Sequence, residues 1–407
     1  MHYRRRPLYA LYVADSISLV GNAVAQLAIP WYVLTTTGSP ALTGLAVFFN
    51  FLPVVLAGVF GGVIVDRVGF RATSIIADLA SAAAVAAIPL LETTVGIELW
   101  QLMALVFLGA LLDAPGTTAR AALFPDVVEL AGARMERAAG IRGGIQRGSL
   151  LVGAPLGGVL IAELGATTAL WLNAASFLFS AALVAAVVPA ARREADTEAP
   201  KRFFTDLAVG MRFIWEHRLM RALVGTILIT NFLDAPFVVA MQVFAREAFG
   251  SATDLGLMLG VFGGAALIGS LAFSAIGHRL PRRLTFVTCF VVWAADYLVL
   301  STLPSLPLTL VALAVGGLAV GPLNPLLGTL SYEIVPAHLR GRVIGAVTSG
   351  VWAAIPAGIL LGGLLVDAIG VSATLFGIGV CYVAVTMFGF FNPAFREMDR
   401  RPGDGDP

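Results

Sequence analysis

Among the ionisable side chains that lie inside long apolar stretches of the sequence, four are the main candidates for function, namely Asp15, Asp113, Arg120 and Asp234. A charge at the centre of a membrane helix costs about 2.5–3.5 kcal/mol on insertion scales, so an acid at such a position is expected to serve a function. A buried carboxylate can bind and release a proton, because desolvation favours its neutral form and a nearby cation favours its charged form. We therefore predict that Asp113 and Asp234 carry protons and help to bind cationic or polar cargo.

The sequence around these acids indicates how they are arranged. Asp113 and Asp234 each begin an Asp-Ala-Pro tripeptide, whose proline removes a backbone donor and can kink a helix. Arg120 follows Asp113 by seven residues, which is about two helical turns and places both on roughly the same face. Structural hydrogen bonds, or pairing with Arg120, are the alternative reason for keeping these acids. The predicted cavity and substrate-binding residues are Asp15, Asn22, Gln26, Arg120, Asn231 and Asn324.

The composition predicts an integral membrane protein. The chain has 407 residues, of which 58% are hydrophobic and only 13% are charged. Soluble proteins carry roughly 25% charged residues, because their surface is in water. A spanning helix needs about 20 apolar residues, so twelve spans would use roughly 240 and leave short connections.

The apolar segments fall into two groups of six, separated by a polar stretch. The sequence therefore predicts an all-α membrane protein with twelve transmembrane helices in two six-helix bundles. The first six predicted spans cover residues 8–34, 41–65, 72–91, 98–122, 143–163 and 168–189. The second six cover residues 220–245, 254–276, 284–303, 307–331, 343–366 and 371–392.

The distribution of arginine predicts the orientation of the spans. If the N-terminus is cytoplasmic, nearly all basic residues fall in inner loops or in the C-terminal tail, and Arg246 is the main exception. Inner loops of membrane proteins are enriched in Lys and Arg in this way. We therefore predict a multi-pass protein of the bacterial cytoplasmic membrane with both termini in the cytoplasm.

Four segments are expected along the chain: an N-terminal bundle over 1–190, a cytoplasmic linker over 191–219, a C-terminal bundle over 220–395 and a cytoplasmic tail over 396–407. The linker contains Phe204, Leu207, Met211 and Ile214 at helical spacing. This pattern predicts an amphipathic helix on the inner membrane face or against the bundle. It would connect the two bundles or, alternatively, regulate them.

The two halves repeat one another. Residues 38–67 align without gaps on residues 250–279, with Gly44 on Gly256 and Arg67 on Arg279. Parallel repeats of this kind build one transporter architecture, in which substrate binds near the midplane between the halves. Small residues recur on equivalent helices, where they allow close packing, and we expect them to form sliding contacts between the halves. The predicted packing and gating residues are Gly153, Pro155, Gly157, Gly158, Gly358 and Gly362.

One loop motif carries a resemblance to a known family. Residues 62–71 read Gly-Val-Ile-Val-Asp-Arg-Val-Gly-Phe-Arg, which resembles the Gly-x-x-x-Asp-Arg-x-Gly-Arg-Arg signature of the major facilitator superfamily, with Phe70 replacing one arginine. The resemblance implies that charges in this loop latch the cytoplasmic side in one conformation, with Asp126 as a partner on the same face. The implied gate residues are Gly62, Asp66, Arg67, Gly69, Arg71 and Asp126.

Longer segments, including residues 34–53 and 115–125, are similar to the branch of this superfamily with macrolide efflux proteins and the enterobactin exporter. The resemblance implies that the first, fourth, seventh and tenth helices line the cavity. It places Asp78 and Asp296 on peripheral helices, where structural or dimer contacts are expected. Two departures stand out: Pro155 lies one position later than in the antiporter signature of helix 5, and Asn22 replaces an acid that many relatives carry.

These features predict a secondary transporter that exports amphipathic small molecules in exchange for protons by alternating access. The alternatives are a carrier of lysophospholipids or other lipids, a facilitator without proton coupling, and a sensor or scaffold that does not transport. The sequence contains no P-loop and no hydrolase or zinc-protease motif, so neither ATP drive nor an enzyme is supported. We expect a monomer in the lipid bilayer with small-molecule and proton partners, no cofactor, no metal and no nucleic acid.

Overall fold

The structure, a computed structural model, describes residues 5–189 and 203–399, apart from the side chains of residues 54, 56–68, 203, 204 and 206. The described chain is helical. The first seven helices are α1 (Arg6–Thr37), α2 (Pro40–Val68), α3 (Phe70–Thr94), α4 (Leu99–Leu130), α5 (Met135–Leu164), α6 (Ala166–Val187) and α7 (Phe203–Glu216). The next seven are α8 (Arg218–Asp234), α9 (Phe237–Ala248), α10 (Ala252–Ile276), α11 (Arg282–Leu300), α12 (Leu306–Val320), α13 (Leu323–Ile334) and α14 (Arg340–Phe391).

Ten helical stretches in the described part of the chain are long and apolar enough to cross a membrane. Two of them combine neighbouring helices, α8 with α9 and α12 with α13. The apolar part of α2 with described side chains covers only Pro40–Pro53. Helix α14 has 52 residues and is interrupted at Gly370, whose φ of 83° is left-handed and therefore favours glycine. An all-helical membrane protein is thus confirmed.

The two Asp-Ala-Pro tripeptides have different structural effects. Pro115 lies inside α4, which continues without a break to Leu130. Pro236 instead separates α8 from α9, so that Asp234 is the last residue of α8. Asp234 therefore lies at a helix break, where a proline cannot supply the next backbone donor.

The chain divides into two compact units. The first contains Met1–Asp196 together with Gly250–Gly260, and the second contains Thr197–Phe249 together with Val261–Pro407. In the first unit, α1 packs against α5 and α6, and α3 packs against α4 and α6. In the second unit, α14 packs against α8, α9 and α11.

The predicted packing glycines serve contacts within each unit. A Cβ atom on Gly153 would lie 2.5 Å from the Cβ of Ala23, and one on Gly157 would lie 3.2 Å from the Cα of Val24. Both glycines therefore let α5 pack closely on α1, because larger side chains would separate the helices. Their nearest neighbours belong to the same half, and sliding contacts between the halves stay a prediction.

The equivalent pair in the second unit has the same role. A Cβ atom on Gly358 would lie 2.6 Å from the carbonyl oxygen of Phe232, and one on Gly362 would lie 2.5 Å from the Cα of Pro236. Helix α14 thus approaches the α8–α9 break as closely as α5 approaches α1. Both of these contacts lie inside the second unit, and sliding contacts between the halves stay a prediction for this pair too.

Gly158 and Pro155 face the start of α10, which belongs to the first unit. A Cβ atom on Gly158 would lie 2.5 Å from the carbonyl oxygen of Ala252, and one on Gly256 would lie 2.6 Å from that of Ala154. Pro155 packs in the same way on Gly260, because a Cβ atom on Gly260 would lie 2.5 Å from the Cγ of Pro155. These reciprocal contacts bring two backbones together and explain why Gly250–Gly260 group with the first unit.

The predicted amphipathic helix is α7, and it packs on the second unit. Ile214 is buried in a cluster with Met220, Val224 and Val343, whereas the next residue, Trp215, is exposed. Gly210 permits the contact with α14, because a Cβ atom there would lie 2.4 Å from the carbonyl oxygen of Arg342. Residues 191–202 of the predicted linker and the tail beyond residue 399 lie outside the described residues.

The glycine contacts predict the outcome of a matched pair of substitutions in α14. Gly362→Ala places a methyl group 2.5 Å from backbone atoms of Pro236, so we expect it to cost about 1–3 kcal/mol, as overpacking does. Gly377→Ala is the control, because a Cβ atom there meets nothing within 4 Å and alanine favours the helix. Thermal unfolding in detergent measures both, and equal midpoints for the two variants would contradict the packing described here.

Candidate functional site

A buried arginine lies at the centre of the first unit. The side chain of Arg120 on α4 is 1% exposed and contacts three carboxylates. Its Nε lies 2.9 Å from Oδ1 of Asp15, and its Nη1 donates to Oδ1 of Asp78 at 2.7 Å. Its Nη2 lies 4.0 Å from Oδ1 of Asp113. One guanidinium therefore connects acids from three helices, which the forked geometry of arginine allows.

The local sequence explains how these groups meet. Asp113 and Arg120 are separated by about two turns of α4 and so project from similar faces. Between them, Gly116 lets α3 approach, because a Cβ atom there would lie 2.9 Å from the Cβ of Ala77 and 3.6 Å from Oδ1 of Asp78. A small residue on α4 thus brings the acid of α3 within reach of the guanidinium.

Three further side chains complete what we call the charge cluster. Arg142 on α5 pairs with Oδ2 of Asp15 at 3.2 Å and lies over the ring of Phe124 at 5.0 Å. Ser180 on α6 donates its hydroxyl to Oδ2 of Asp78 at 2.7 Å. Asn22 on α1 donates its amide to Oδ2 of Asp113 at 2.9 Å. The charge cluster is Asp15, Asn22, Asp78, Asp113, Arg120, Arg142 and Ser180.

The acids of the charge cluster differ in their contacts. Asp78 is fully buried and receives two hydrogen bonds, from Arg120 and from Ser180. Asp15 lies between the two guanidinium groups. Asp113 has the longest separation from a cation, and its side chain is the most exposed of the three, at 18%. It is therefore the acid whose charge is least compensated and whose side chain is the most exposed, although its Oδ1 is itself buried.

The second unit contains an acid of a different kind. Oδ1 of Asp234 accepts a hydrogen bond from Nε1 of Trp293 at 2.9 Å and another from the hydroxyl of Tyr297 at 3.0 Å. Tyr297 stacks on Tyr382 with 5.5 Å between ring centroids, and the hydroxyl of Tyr382 donates to the carbonyl of Thr230. The described hydrogen-bond donors to Asp234 are thus neutral aromatic groups.

Asp296 on α11 is a further buried acid of the second unit. It is 5% exposed, and its Oδ2 has no hydrogen-bond partner among the described residues. It packs on α12 where Gly316 leaves room, since a Cβ atom there would lie 2.6 Å from that oxygen. Because the side chain of Asp296 is buried within the chain, it is not available for a dimer contact, which was expected as the alternative to a structural contact.

The structure brings together some of the predicted cavity residues and separates others. Asp15, Asn22, Asp113 and Arg120 meet in the charge cluster. In contrast, the amide of Asn231 donates to the carbonyl of Ile227 in its own helix, at 2.8 Å. Gln26 and Asn324 are exposed.

Sequence reasoning missed Asp78 and Arg142 as members of the cluster. The position of Asp78 in an apolar run was a signal, but its helix was expected to be peripheral. A fifth span over 143–163 puts Arg142 in an inner loop, whereas α5 already begins at Met135. Helical spacing places residues on one helix, and contacts between helices require the tertiary structure.

The loop motif before α3 has a structural function that the sequence did not indicate. Gly69 precedes α3 with a φ of 92°, which favours glycine. Arg71 donates to the carbonyl of Ala185 near the C-terminus of α6, at 2.5 Å. Arg283 on α11 donates in the same way to the carbonyl of Phe390 near the end of α14. Cations at helix C-termini are favourable, because the last carbonyls lack partners and carry partial negative charge.

The rest of the implied gate stays a prediction. The side chains of Gly62, Asp66 and Arg67 lie outside the described residues. Asp126 is exposed on the last turns of α4. The fourth and tenth predicted spans align at an offset of 207 residues, with Gly109 on Gly316 and Asp126 on Glu333. In the second unit, Glu333 forms a bidentate pair with Arg282 at 2.6 and 2.8 Å.

Comparison with known proteins places these features in context. Residues 3–404 match the family described as transmembrane secretion effectors. The multidrug efflux pump Tap of Mycobacterium tuberculosis is 33% identical over 405 residues, which cover 98% of this chain and 96% of that protein. The macrolide efflux protein A of Streptococcus pyogenes is 24% identical over 96% of this chain and 97% of that protein.

Solved structures show the same fold. The nucleoside transporter NupG is 11% identical, with a TM-score of 0.76 over 97% of this chain and 99% of that chain. The inward-open xylose transporter XylE from E. coli is 14% identical, with a TM-score of 0.68 over 94% of this chain and 95% of that chain. The resemblance to major facilitator drug exporters that the sequence indicated is confirmed.

The charge cluster predicts the effect of removing its central cation. Arg120→Gln leaves Asp78 and Asp113 without a guanidinium, so we expect a loss of about 3–5 kcal/mol, as for other broken buried pairs. The double variant Arg120→Gln/Asp78→Asn removes one of the stranded charges and is expected to recover part of that loss. Thermal unfolding of the purified proteins in detergent compares them. Additive effects of the two substitutions would show that the contact is not stabilising.

Proposed function

The chain belongs to the transmembrane secretion effector family of the major facilitator superfamily, and from this we propose that it exports amphipathic small molecules in exchange for protons. Two curated relatives that align with nearly the whole chain are a multidrug efflux pump and a macrolide efflux protein, which supports export of chemically diverse compounds. The relatives are transporters, and the proposed activity requires neither a cofactor nor an enzymatic step.

The proposed topology has twelve crossings with both termini in the cytoplasm. Ten crossings correspond to the apolar helical stretches. Helix α2, with 29 residues, would supply another, and the interruption of α14 at Gly370 would divide that helix into two. The position of arginine in the inner loops supports this orientation in a bacterial cytoplasmic membrane. We propose that the protein acts as a monomer.

The observation that carries proton coupling is the charge balance of the cluster. Two guanidinium groups, of Arg120 and Arg142, face three carboxyl groups, of Asp15, Asp78 and Asp113. If all five groups were ionised, the cluster would have one uncompensated negative charge. An uncompensated charge inside a membrane helix costs about 2.5–3.5 kcal/mol. One bound proton removes it, so the cluster is suited to hold a single exchangeable proton.

Asp113 is the acid on which we place this proton. Its separation of 4.0 Å from Arg120 is longer than those of Asp15 and Asp78. Asn22 donates to one of its oxygens, which leaves the other oxygen to hold a proton. That oxygen, Oδ1, is buried and has no hydrogen-bond partner among the described residues, so a proton there would neutralise an otherwise uncompensated charge.

Exchange of proton for cargo then follows, because both compete for the carboxylate of Asp113. A cationic or polar compound that approaches Asp113 would supply the compensation that the proton otherwise gives, and the proton would leave. When the compound departs on the other side of the membrane, the bare charge would favour a new proton. The coupling is thus electrostatic. The cluster is stable when either the proton or the positive charge of the cargo is bound, and it is destabilised when both are absent.

Asp234 is the proposed counterpart in the second unit. Its neutral donors, Trp293 and Tyr297, orient the carboxyl group but add no positive charge. Burial without a cation favours a protonated carboxyl group. The aromatic rings around it would also offer a surface for apolar parts of the cargo. We therefore place a second proton site there.

Replacement of either acid by its amide tests this proposal. Asp113→Asn and Asp234→Asn keep the shape of the side chain and the oxygen that accepts the observed hydrogen bonds, so both are expected to fold. Each is expected to abolish proton movement that depends on a lipophilic cation such as tetraphenylphosphonium. The measurement is internal pH in proteoliposomes, recorded alongside cation flux.

Asp296→Asn is the matched control, because it removes another buried acid of the second unit that the proposal does not use. It is expected to retain coupled transport. Unchanged coupling in Asp113→Asn would exclude the cluster proton. Cation flux without proton movement in the wild-type protein would instead indicate a facilitator.

A further inference from the structure

A cavity in the second unit lies away from the acids discussed above. It has a volume of about 380 Å³ and is formed between the first half of α8 and the end of α14. On α8 the lining residues are Arg218, Arg221, Ala222, Gly225, Thr226 and Ile229. The opposite wall contains Phe388, Asn392 and Ala394.

The cavity is cationic at one end. Arg218 and Arg221 are three residues apart on α8, so they project from one face of the helix. None of the described lining residues is acidic. The nearby acid Glu216 is paired with Arg212 at 2.7 Å. Arg221 uses one nitrogen to donate to the carbonyl of Trp215, which leaves the rest of its guanidinium for an anion.

The other end of the cavity is apolar and open. A Cβ atom on Gly225 would meet nothing within 4 Å, so the surface of α8 is recessed there. Ile229 and Phe388 flank the recess and are 52% and 51% exposed. Phe388 lies near the end of α14, outside the four helices that the resemblance assigns to the cavity, so its exposed ring is expected to face lipid. The recess is therefore a groove that an alkyl chain can enter from the bilayer.

The dimensions of the groove match one leaflet. Arg218 and Ile229 are eleven residues apart, which is about 16 Å along an α-helix at 1.5 Å per residue. One leaflet occupies about half of the roughly 30 Å hydrocarbon core. The arginine end also lies beside the exposed Trp215, a residue type enriched at the level of lipid headgroups.

We propose that this groove binds an anionic phospholipid of the inner leaflet. Its phosphate would lie between Arg218 and Arg221, and one acyl chain would follow Gly225 towards Ile229. Charge complementarity selects the anionic headgroup, because basic residues near the cytoplasmic surface attract acidic lipids. The site joins the start of α8, which leads to Asp234, to the end of α14, so a bound lipid would connect these two helices.

Native mass spectrometry of the purified full-length protein with added phosphatidylglycerol tests this site. The double variant Arg218→Gln/Arg221→Gln is expected to bind this lipid at least about fivefold more weakly, since each arginine near an anionic surface contributes on the order of 1 kcal/mol. Gly225→Leu places a large side chain in the groove from a Cβ position that meets nothing within 4 Å, and it is expected to weaken binding while both arginines remain. The matched control is Arg134→Gln/Arg137→Gln, which removes the same charge from exposed positions on the first unit.

Three results would overturn the proposal. The first is equal retention of phosphatidylglycerol by the wild-type protein and by both groove variants. The second is equally strong binding of the zwitterionic phosphatidylethanolamine, which would remove the role of the arginines. The third is full displacement of the lipid by inorganic phosphate, which would indicate a site for a free anion. Loss of binding in Gly225→Leu alone, with a folded protein, would still support the groove if the arginine variant failed to fold.

Discussion

The structure depends on one constraint: a charge inside a membrane must be balanced by a charge of the opposite sign. Arg120 satisfies this constraint for most of the first unit, because its guanidinium contacts carboxylates from α1, α3 and α4. Those contacts fix the positions of three helices relative to one another. They also leave one acid more than the cations can balance, and this imbalance is the basis of the proton site that we propose.

Close backbone packing makes this arrangement possible. Glycines at the α3–α4 and α1–α5 contacts remove the side chains that would keep the helices apart, and without that approach Asp78 would not reach Arg120. In the second unit, corresponding glycines bring α14 against the break between α8 and α9, next to Asp234. Packing and chemistry are therefore linked in both units: the small residues set the distances at which the acids meet their partners.

Much of this could be predicted from the sequence. Apolar length and arginine distribution indicate spanning helices and their direction, and the rarity of acids in such helices marks Asp15, Asp113 and Asp234. The seven-residue spacing of Asp113 and Arg120 is readable because it is a property of one helix. The contributions of Asp78 and Arg142 are not readable, since they depend on which helices are neighbours and on where α5 begins. For the same reason, the sequence does not show which helix each glycine pair packs against.

The central claim is that the charge cluster holds one proton because three carboxyl groups face two guanidinium groups. Infrared spectroscopy of the purified protein tests it most directly, through the C=O stretching band of protonated carboxyl groups in the wild type, Asp113→Asn and Asp78→Asn. The account predicts that both substitutions remove the same part of this band, because each leaves two carboxylates to balance two cations. A band that is unchanged in both variants would contradict it.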